Sequence, residues 1–208
     1  MQLTIATLLW SPNETTEHFS QMYNEEWVDK LYRGFKRNLN VPFDFICFTG
    51  RHRKFEEDAV TTGQAYVPNL GKNGYGDCIL PYGLSRPMIL VGLDTVVVGN
   101  IDLLAQYVLA GGEYALPRDP FWPSRACNGV ALVPEGMGII AAEHQGENDM
   151  EHVRNYPHVF IDDLFPGQVV SYKCHVKDKG WDGVKIVYFH GKEKPHELTD
   201  PMILQNWR

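Results

Sequence analysis

An α/β domain with a mainly parallel central sheet flanked by helices is the fold class this chain predicts, and three observations predict it. Strand-like and helix-like segments alternate through the N-terminal half. An amphipathic stretch with Phe19, Tyr23, Trp27, Leu31, Phe35 and Leu39 at four-residue intervals separates the first two apolar strand patterns. Residues 88–98, Met-Ile-Leu-Val-Gly-Leu-Asp-Thr-Val-Val-Val, form an apolar, β-branched run of the kind buried on both faces of a sheet. At 208 residues, 44% hydrophobic and 22% charged, residues 1–208 read as one globular domain able to bury its own core.

The elements follow in order. Residues 3–9 give the first strand and 16–39 a helix. Residues 43–48 give the second strand, stopped by Thr49-Gly50, and a charged loop over 51–64 leads to a short strand at 65–67. A Gly-rich approach, 71–76, precedes a helix around 77–85 and the apolar strand 88–98. A helix begins near Ile101, with Asp102 in its first turn where acidic residues suit the helix dipole. Strands over 113–116 and 129–133, helical stretches over 135–145 and 147–155, and strands over 168–172 and 184–190 complete the chain.

Charge and cysteine usage exclude several classes. A net charge of −7 argues against a protein built to grip phosphate backbones. No apolar run reaches the ~18 residues of a membrane span, and the apolar N-terminus lacks a basic leader and a small-residue cleavage site. Cys47, Cys78, Cys127 and Cys174 are scattered without a Cys-x-x-Cys pair, so they read as reduced thiols of a cytoplasmic protein.

Candidate site residues come from two directions. In a doubly wound sheet ligands sit beyond the carboxyl ends of the strands, which sends Thr7, Leu8, Leu9, Thr49 and Asp94 toward one crevice suited to a nucleoside. Asp94 is also a carboxylate inside an apolar run, where an unpaired charge would cost several kcal/mol. It needs a partner: a metal ion, or the cap or salt bridge of an ordinary strand-end aspartate.

Leu93-Asp94-Thr95 followed by Val96-Val97-Val98-Gly99 resembles the Leu-Asp-x-Asp-Thr signature of family-8-like glycosyltransferases of the GT-A fold, a Rossmann-like domain. That group includes glycogenin and the bacterial lipopolysaccharide galactosyltransferases. Gly92 stands where the signature has its first Asp. The resemblance implies a hexosyltransferase that moves a sugar from a nucleoside-diphosphate donor, a UDP-sugar being expected, with Mn2+ or Mg2+ and retention of anomeric configuration. Leu93 and Asp94 would lie at the donor and Asp94 at the metal.

Near the C-terminus, His190-Gly191-Lys192-Glu193-Lys194-Pro195 resembles the family's His-x-x-Gly-x-x-Lys-Pro element. The family's His falls at Tyr188, two residues early; strand positions 188 and 190 share a face, so His190 is the second expected metal ligand. Lys194 keeps the spacing of the diphosphate-binding lysine. A backbone-bonded loop histidine and a solvated lysine are the plain alternatives. Cys127-Asn128-Gly129 resembles the Asn-Ser-Gly turn at the donor sugar, which implies sugar contact for Asn128. Asp149 fits the Asp of an Asp-Gln pair near the reacting carbon, with Met150 in place of Gln, and Asp162-Asp163 is a competing acidic pair. Lys173, in Ser171-Tyr172-Lys173, would face acceptor or diphosphate. The acceptor class stays open among glycan, protein, small molecule and modified nucleic-acid base. A relative that binds nucleotide sugar or glycan without turnover is the alternative function, favoured by Gly92 and Met150.

Overall fold

In the computed structural model, which describes residues 2–208, two sheets share the chain. The larger has seven strands in the order β3-β2-β1-β4-β7-β6-β8: β1 (Leu3–Leu9), β2 (Phe43–Thr49), β3 (Gln64–Tyr66), β4 (Met88–Val91), β6 (Ala115–Leu116), β7 (Val130–Val133) and β8 (Val159–Phe160). β3, β2, β1 and β4 run parallel, and β7 runs antiparallel to both β4 and β6. The smaller sheet, β5-β10-β9, is made of β5 (Thr95–Val97), β9 (Val169–Ser171) and β10 (Ile186–Tyr188).

All seven residues of β1 are buried, as a central strand covered on both faces requires. Leu3, Ile5 and Leu9 pack with α2 (Glu25–Asn38) and α4 (Asp102–Leu109) on one face. Ala6 and Leu8 pack on the other with the 3-10 helix Gly74–Leu84, α5 (Ile139–Ala142) and α6 (Asp149–Val153). Trp27, Leu31 and Phe35, spaced by four, form the buried stripe of α2, and burying each contributes about 1.5–3 kcal/mol. A third cluster, around Val96, Val187 and Ile203, joins the small sheet to the C-terminal helix α9 (Pro201–Asn206).

Three expectations are corrected. The single helix over 16–39 is two, α1 (Glu17–Ser20) and α2, because Ser20 Oγ turns back to the Thr16 carbonyl at 2.8 Å and Asn24 takes an extended N-cap conformation. Phe19 thus leaves the α2 stripe and stacks on Tyr75 at 4.1 Å. The single strand over 88–98 is also two: β4 belongs to the large sheet and β5 to the small one, with Gly92-Leu93-Asp94 as the crossing. The apolar run is continuous because both pieces are buried, so composition alone does not show the break. Finally, α3 (Asp58–Thr62), α7 (Ile161–Leu164), α8 (Lys177–Lys179) and α9 form where only loop was expected. Apart from α9, of six residues, these are one-turn helices, too short to show a periodicity. No helix of the described residues is long and apolar enough to cross a membrane.

Candidate functional site

The topology gathers distant segments at one edge. β1 and β4 end there, and because β7 is antiparallel to β4 with Val91 opposite Val130, the preceding Cys127-Asn128-Gly129 lies at the same edge. The Gly92 amide donates to the Gly129 carbonyl at 3.3 Å. In the small sheet β10 is antiparallel to β5 with Tyr188 opposite Thr95, which brings His190 back beside Asp94. A cleft of about 1040 Å³ opens over this edge, lined by Thr7, Leu8, Leu9, Leu93, Asp94, Asn128, Asp149, His190 and Lys194. It has the position expected of a ligand site in a doubly wound sheet.

Asp94 sits at the floor of the cleft as an ion pair. Lys194 Nζ and the Tyr23 hydroxyl, at 3.1 Å for the latter, both donate to its Oδ2. The Asp94 and Lys194 side chains are only 15% and 11% exposed, so the pair is largely desolvated and neither is a free surface charge. Burial and the adjacent Asp94 carboxylate push the Tyr23 hydroxyl far above the ordinary tyrosine range, so it stays a donor. Lys194 gets there by a tight reversal after β10: Gly191 at φ 65° and Glu193 at φ 68° are both left-handed. Glu193 is held by Lys177 at 2.8 Å, and Glu197 Oε2 accepts from the Lys194 amide at 2.8 Å.

His190 is half-buried at the end of β10, its Nε2 hydrogen-bonded to Ser171 Oγ at 2.7 Å and its ring edge-on to Phe121 at 5.2 Å. Burial, and then the Lys173 and Lys194 ammoniums, lower its pKa and favour the neutral ring. Among the described residues no three His, Cys, Asp or Glu side chains converge as a metal cage. The residues present fit a different kind of ion site. Both hydrogen bonds to Asp94 fall on Oδ2, and Oδ1 faces the space that a side chain at Gly92 would take, where a Cβ would lie 3.1 Å away. One free carboxylate oxygen and one neutral imidazole suit a divalent ion that draws its remaining ligands from substrate phosphates.

Also in the lining, Asn128 Nδ2 donates to Asp149 Oδ2 at 2.6 Å. Asn148 fixes Asp149 in place by capping α6, its side chain accepting from Met150 and Glu151. Burial raises the Asp149 pKa, and the Asn128 amide opposes that rise. The thiol of half-buried Cys78 nearby is pushed well up by desolvation and by the Asp149 charge, so it is no thiolate nucleophile.

Two candidate residues stand apart. Thr49 ends β2, one strand farther from the β1–β4–β7 edge; it is buried, with Oγ1 unpartnered, and does not line the cleft. Lys173 is exposed in the π-helical turn Tyr172–Val176, which turns it away from the lining, although its charge still bears on His190. The pair Asp162 and Asp163 is held by Arg118, which donates its backbone N–H to the first and its guanidinium to the second. Sequence reasoning missed Tyr23, which it took for a core residue, and Trp10, which shows no pattern; of Ser171-Tyr172-Lys173 it chose Lys173, whereas Ser171 is the residue that holds His190. It also missed Phe121 and Trp122, an adjacent aromatic pair bracketed by Pro120 and Pro123, a signal that could have been read.

No family model and no curated protein matches the sequence. Solved structures do match. The glycosyltransferase GlyE of Streptococcus pneumoniae TIGR4 is similar with a TM-score of 0.59 and 11% identity, over 93% of this chain and 56% of that one. An active-site mutant of LgtC is similar with a TM-score of 0.58 and 9% identity, over 97% of this chain and 93% of that one. The chain thus spans little more than half the length of GlyE. At these identities the likeness establishes a shared fold, a Rossmann-like α/β sheet found in glycosyltransferases.

Proposed function

We propose that this chain is a glycosyltransferase that takes a sugar from a UDP-sugar and passes it to an acceptor hydroxyl, with Mn2+ or Mg2+ at Asp94 and His190. The observation that carries this reading is the convergence of Asp94, His190 and Lys194 in the lining of a 1040 Å³ cleft at the carboxyl ends of β1 and β4. Thr7 Oγ1 and Trp10 Nε1 are buried without hydrogen-bond partners, and both residues line the cleft. The shared fold with GlyE and LgtC agrees with sugar transfer.

The chain's own groups have distinct tasks. When bound, the divalent ion supplies positive charge to the departing diphosphate. Lys194 exchanges the Asp94 oxygen for a diphosphate oxygen, a shift of partner for a compact cation. The Ser171 hydroxyl holds His190 Nε2 at 2.7 Å; with Nε2–H as the donor there, Nδ1 would be the nitrogen free to hold the ion. Asn128 and Asp149 hold the transferred sugar, Asp149 placing a carboxylate where positive charge develops on the sugar ring. Transfer proceeds with retention. Four free thiols support a cytoplasmic setting.

Calorimetric titration of the intact protein with UDP, with and without Mn2+, tests the reading. Binding that tightens with Mn2+, together with release of UDP from a UDP-sugar and a product whose anomeric configuration by NMR matches the donor, is expected. No binding of any nucleoside diphosphate would overturn it. The second reading, a binder without turnover, is favoured by Gly92 in the signature and by the Lys194–Asp94 pair. It predicts UDP-sugar binding with no UDP release in Mn2+.

A further inference from the structure

We infer that Phe121 and Trp122 form a saccharide-stacking shelf that seats a glycan acceptor at the mouth of the cleft. The inference rests on the glycosyl-transfer reading and adds to it the acceptor class. Both rings are unusually open for their size, Phe121 at 56% and Trp122 at 62% exposure, in a chain whose other exposed large apolar side chains are mostly scattered. Both line the cleft. Their centroids lie 6.2 Å apart with planes at 65°, an L-shaped shelf rather than a flat wall. Phe121 meets the His190 ring edge-on, so the shelf abuts the end of the cleft where Asp94 and Lys194 lie.

The shelf is built, not loose. Asp119, 7% exposed, accepts from the Phe121 and Trp122 amides at 2.9 and 3.2 Å. The loop closes on itself through Asp119 N–H to Arg125 carbonyl and Arg125 N–H to Trp122 carbonyl, each 2.8 Å. Arg154 anchors Asp119 from outside at 3.1 Å, and Pro120 and Pro123 restrict the backbone on either side. Neither ring belongs to the apolar clusters that pack this chain, although a buried carboxylate holds both in place. Rigid rings bind with little loss of conformational entropy, which is the advantage of preorganised aromatic contacts.

The occupant follows from what surrounds the rings. A pyranose presents a C–H face that stacks on an aromatic ring and hydroxyls that bond to carboxylates. The arginines beside the shelf are already paired: Arg118 with Asp163, Arg125 with Glu151, and Arg154 with Asp119 and Glu151. That neutralisation leaves Lys173 and Lys192 as the unpaired cations on this side of the cleft, two separate charges rather than the continuous positive groove that goes with stacking on single-stranded nucleic acid. Two lysines also fall short of the cluster of basic side chains that an anionic membrane surface recruits.

The test uses saturation-transfer NMR on the intact protein with lactose, maltotriose, cellotriose and chitotriose as probes, and UDP titration in parallel. Saturation of ring C–H protons of at least one saccharide is expected. Trp122→Ala and Phe121→Ala should each weaken that saccharide's binding by roughly 2- to 12-fold, with UDP affinity and melting temperature unchanged. No saccharide signal from a protein that binds UDP would overturn the shelf while leaving donor binding intact. Saccharide signal that survives both substitutions would overturn it too, as would a protein that fails to bind either probe class. Saccharide binding that depends on Trp122 in a protein that does not bind UDP would support the shelf and count against the donor reading alone. A single-stranded oligonucleotide or anionic vesicles captured through Trp122 in place of saccharides would replace the glycan with another partner and overturn the inference.

Discussion

Lys194 and Asp94, a hundred residues apart in the chain, are ion-paired at the floor of the cleft, Nζ to Oδ2. Lys194 is 9% exposed, so a role as a solvated terminal lysine is ruled out by its burial. The pair joins the tight turn after β10 to the crossing between β4 and β5, and thus ties the small sheet to the large one at the site.

Lys194→Met should therefore act on both folding and binding. It leaves the Asp94 carboxylate without its cation, which should cost about 1–3 kcal/mol of stability, and it removes the cation proposed for the diphosphate. A drop of several degrees in melting temperature together with roughly tenfold or greater loss of UDP affinity is expected. Unchanged UDP affinity in a destabilised variant would make Lys194 a structural residue only.

Asp94→Asn and His190→Gln probe the ion directly. Titration of Mn2+ followed by electron paramagnetic resonance in the presence of UDP should show bound manganese in the wild-type protein and its loss in both variants. If either variant retains wild-type manganese binding, that residue is not a ligand.

Asp149 gives a pH-dependent prediction. Burial raises its native pKa above the unfolded value of ~3.9. The native state therefore holds this proton over the window between the two values, and stability falls as pH rises through it. Asp149→Asn, which can still accept from Asn128, lacks that loss. Its melting temperature should match or exceed the wild type's at neutral pH, with the advantage shrinking toward acid, while sugar transfer falls by roughly two orders of magnitude. A variant that loses stability at neutral pH would show that the ionised carboxylate is needed for folding.

Gly191→Ala tests the reversal that delivers Lys194. The glycine is at φ 65° with open space around a Cβ, so the cost is backbone strain alone, about 1–2 kcal/mol. A modest fall in melting temperature with weaker UDP binding is expected. Intact UDP affinity would show that the turn tolerates the strain without moving Lys194.

The patterned apolar segments by themselves determined the layered α/β fold. β1, β2 and β7 lie within a residue of their expected bounds: β1 and β7 are buried throughout, as strands covered on both faces are, and β2 is bounded by Thr49-Gly50 even though it carries the exposed Asp44. Asp94 stood out for a related reason, since a carboxylate in an apolar run must be matched by something, whereas His190 was reached only through the resemblance carried by Gly191 and Lys194-Pro195. Only the tertiary structure decided the rest. Gly92-Leu93-Asp94 is a crossing between sheets, which hydrophobicity cannot distinguish from one strand when both pieces are buried. Tyr23 looks like a stripe residue and yet donates to Asp94, because the break before α2 frees it from the helix face. Lys194 looks solvated and is buried, and Thr49 shares a strand end with the site without reaching the cleft. These outcomes depend on which strand neighbours which and on where a few left-handed residues turn the chain. Such non-local pairings leave no periodicity in the sequence.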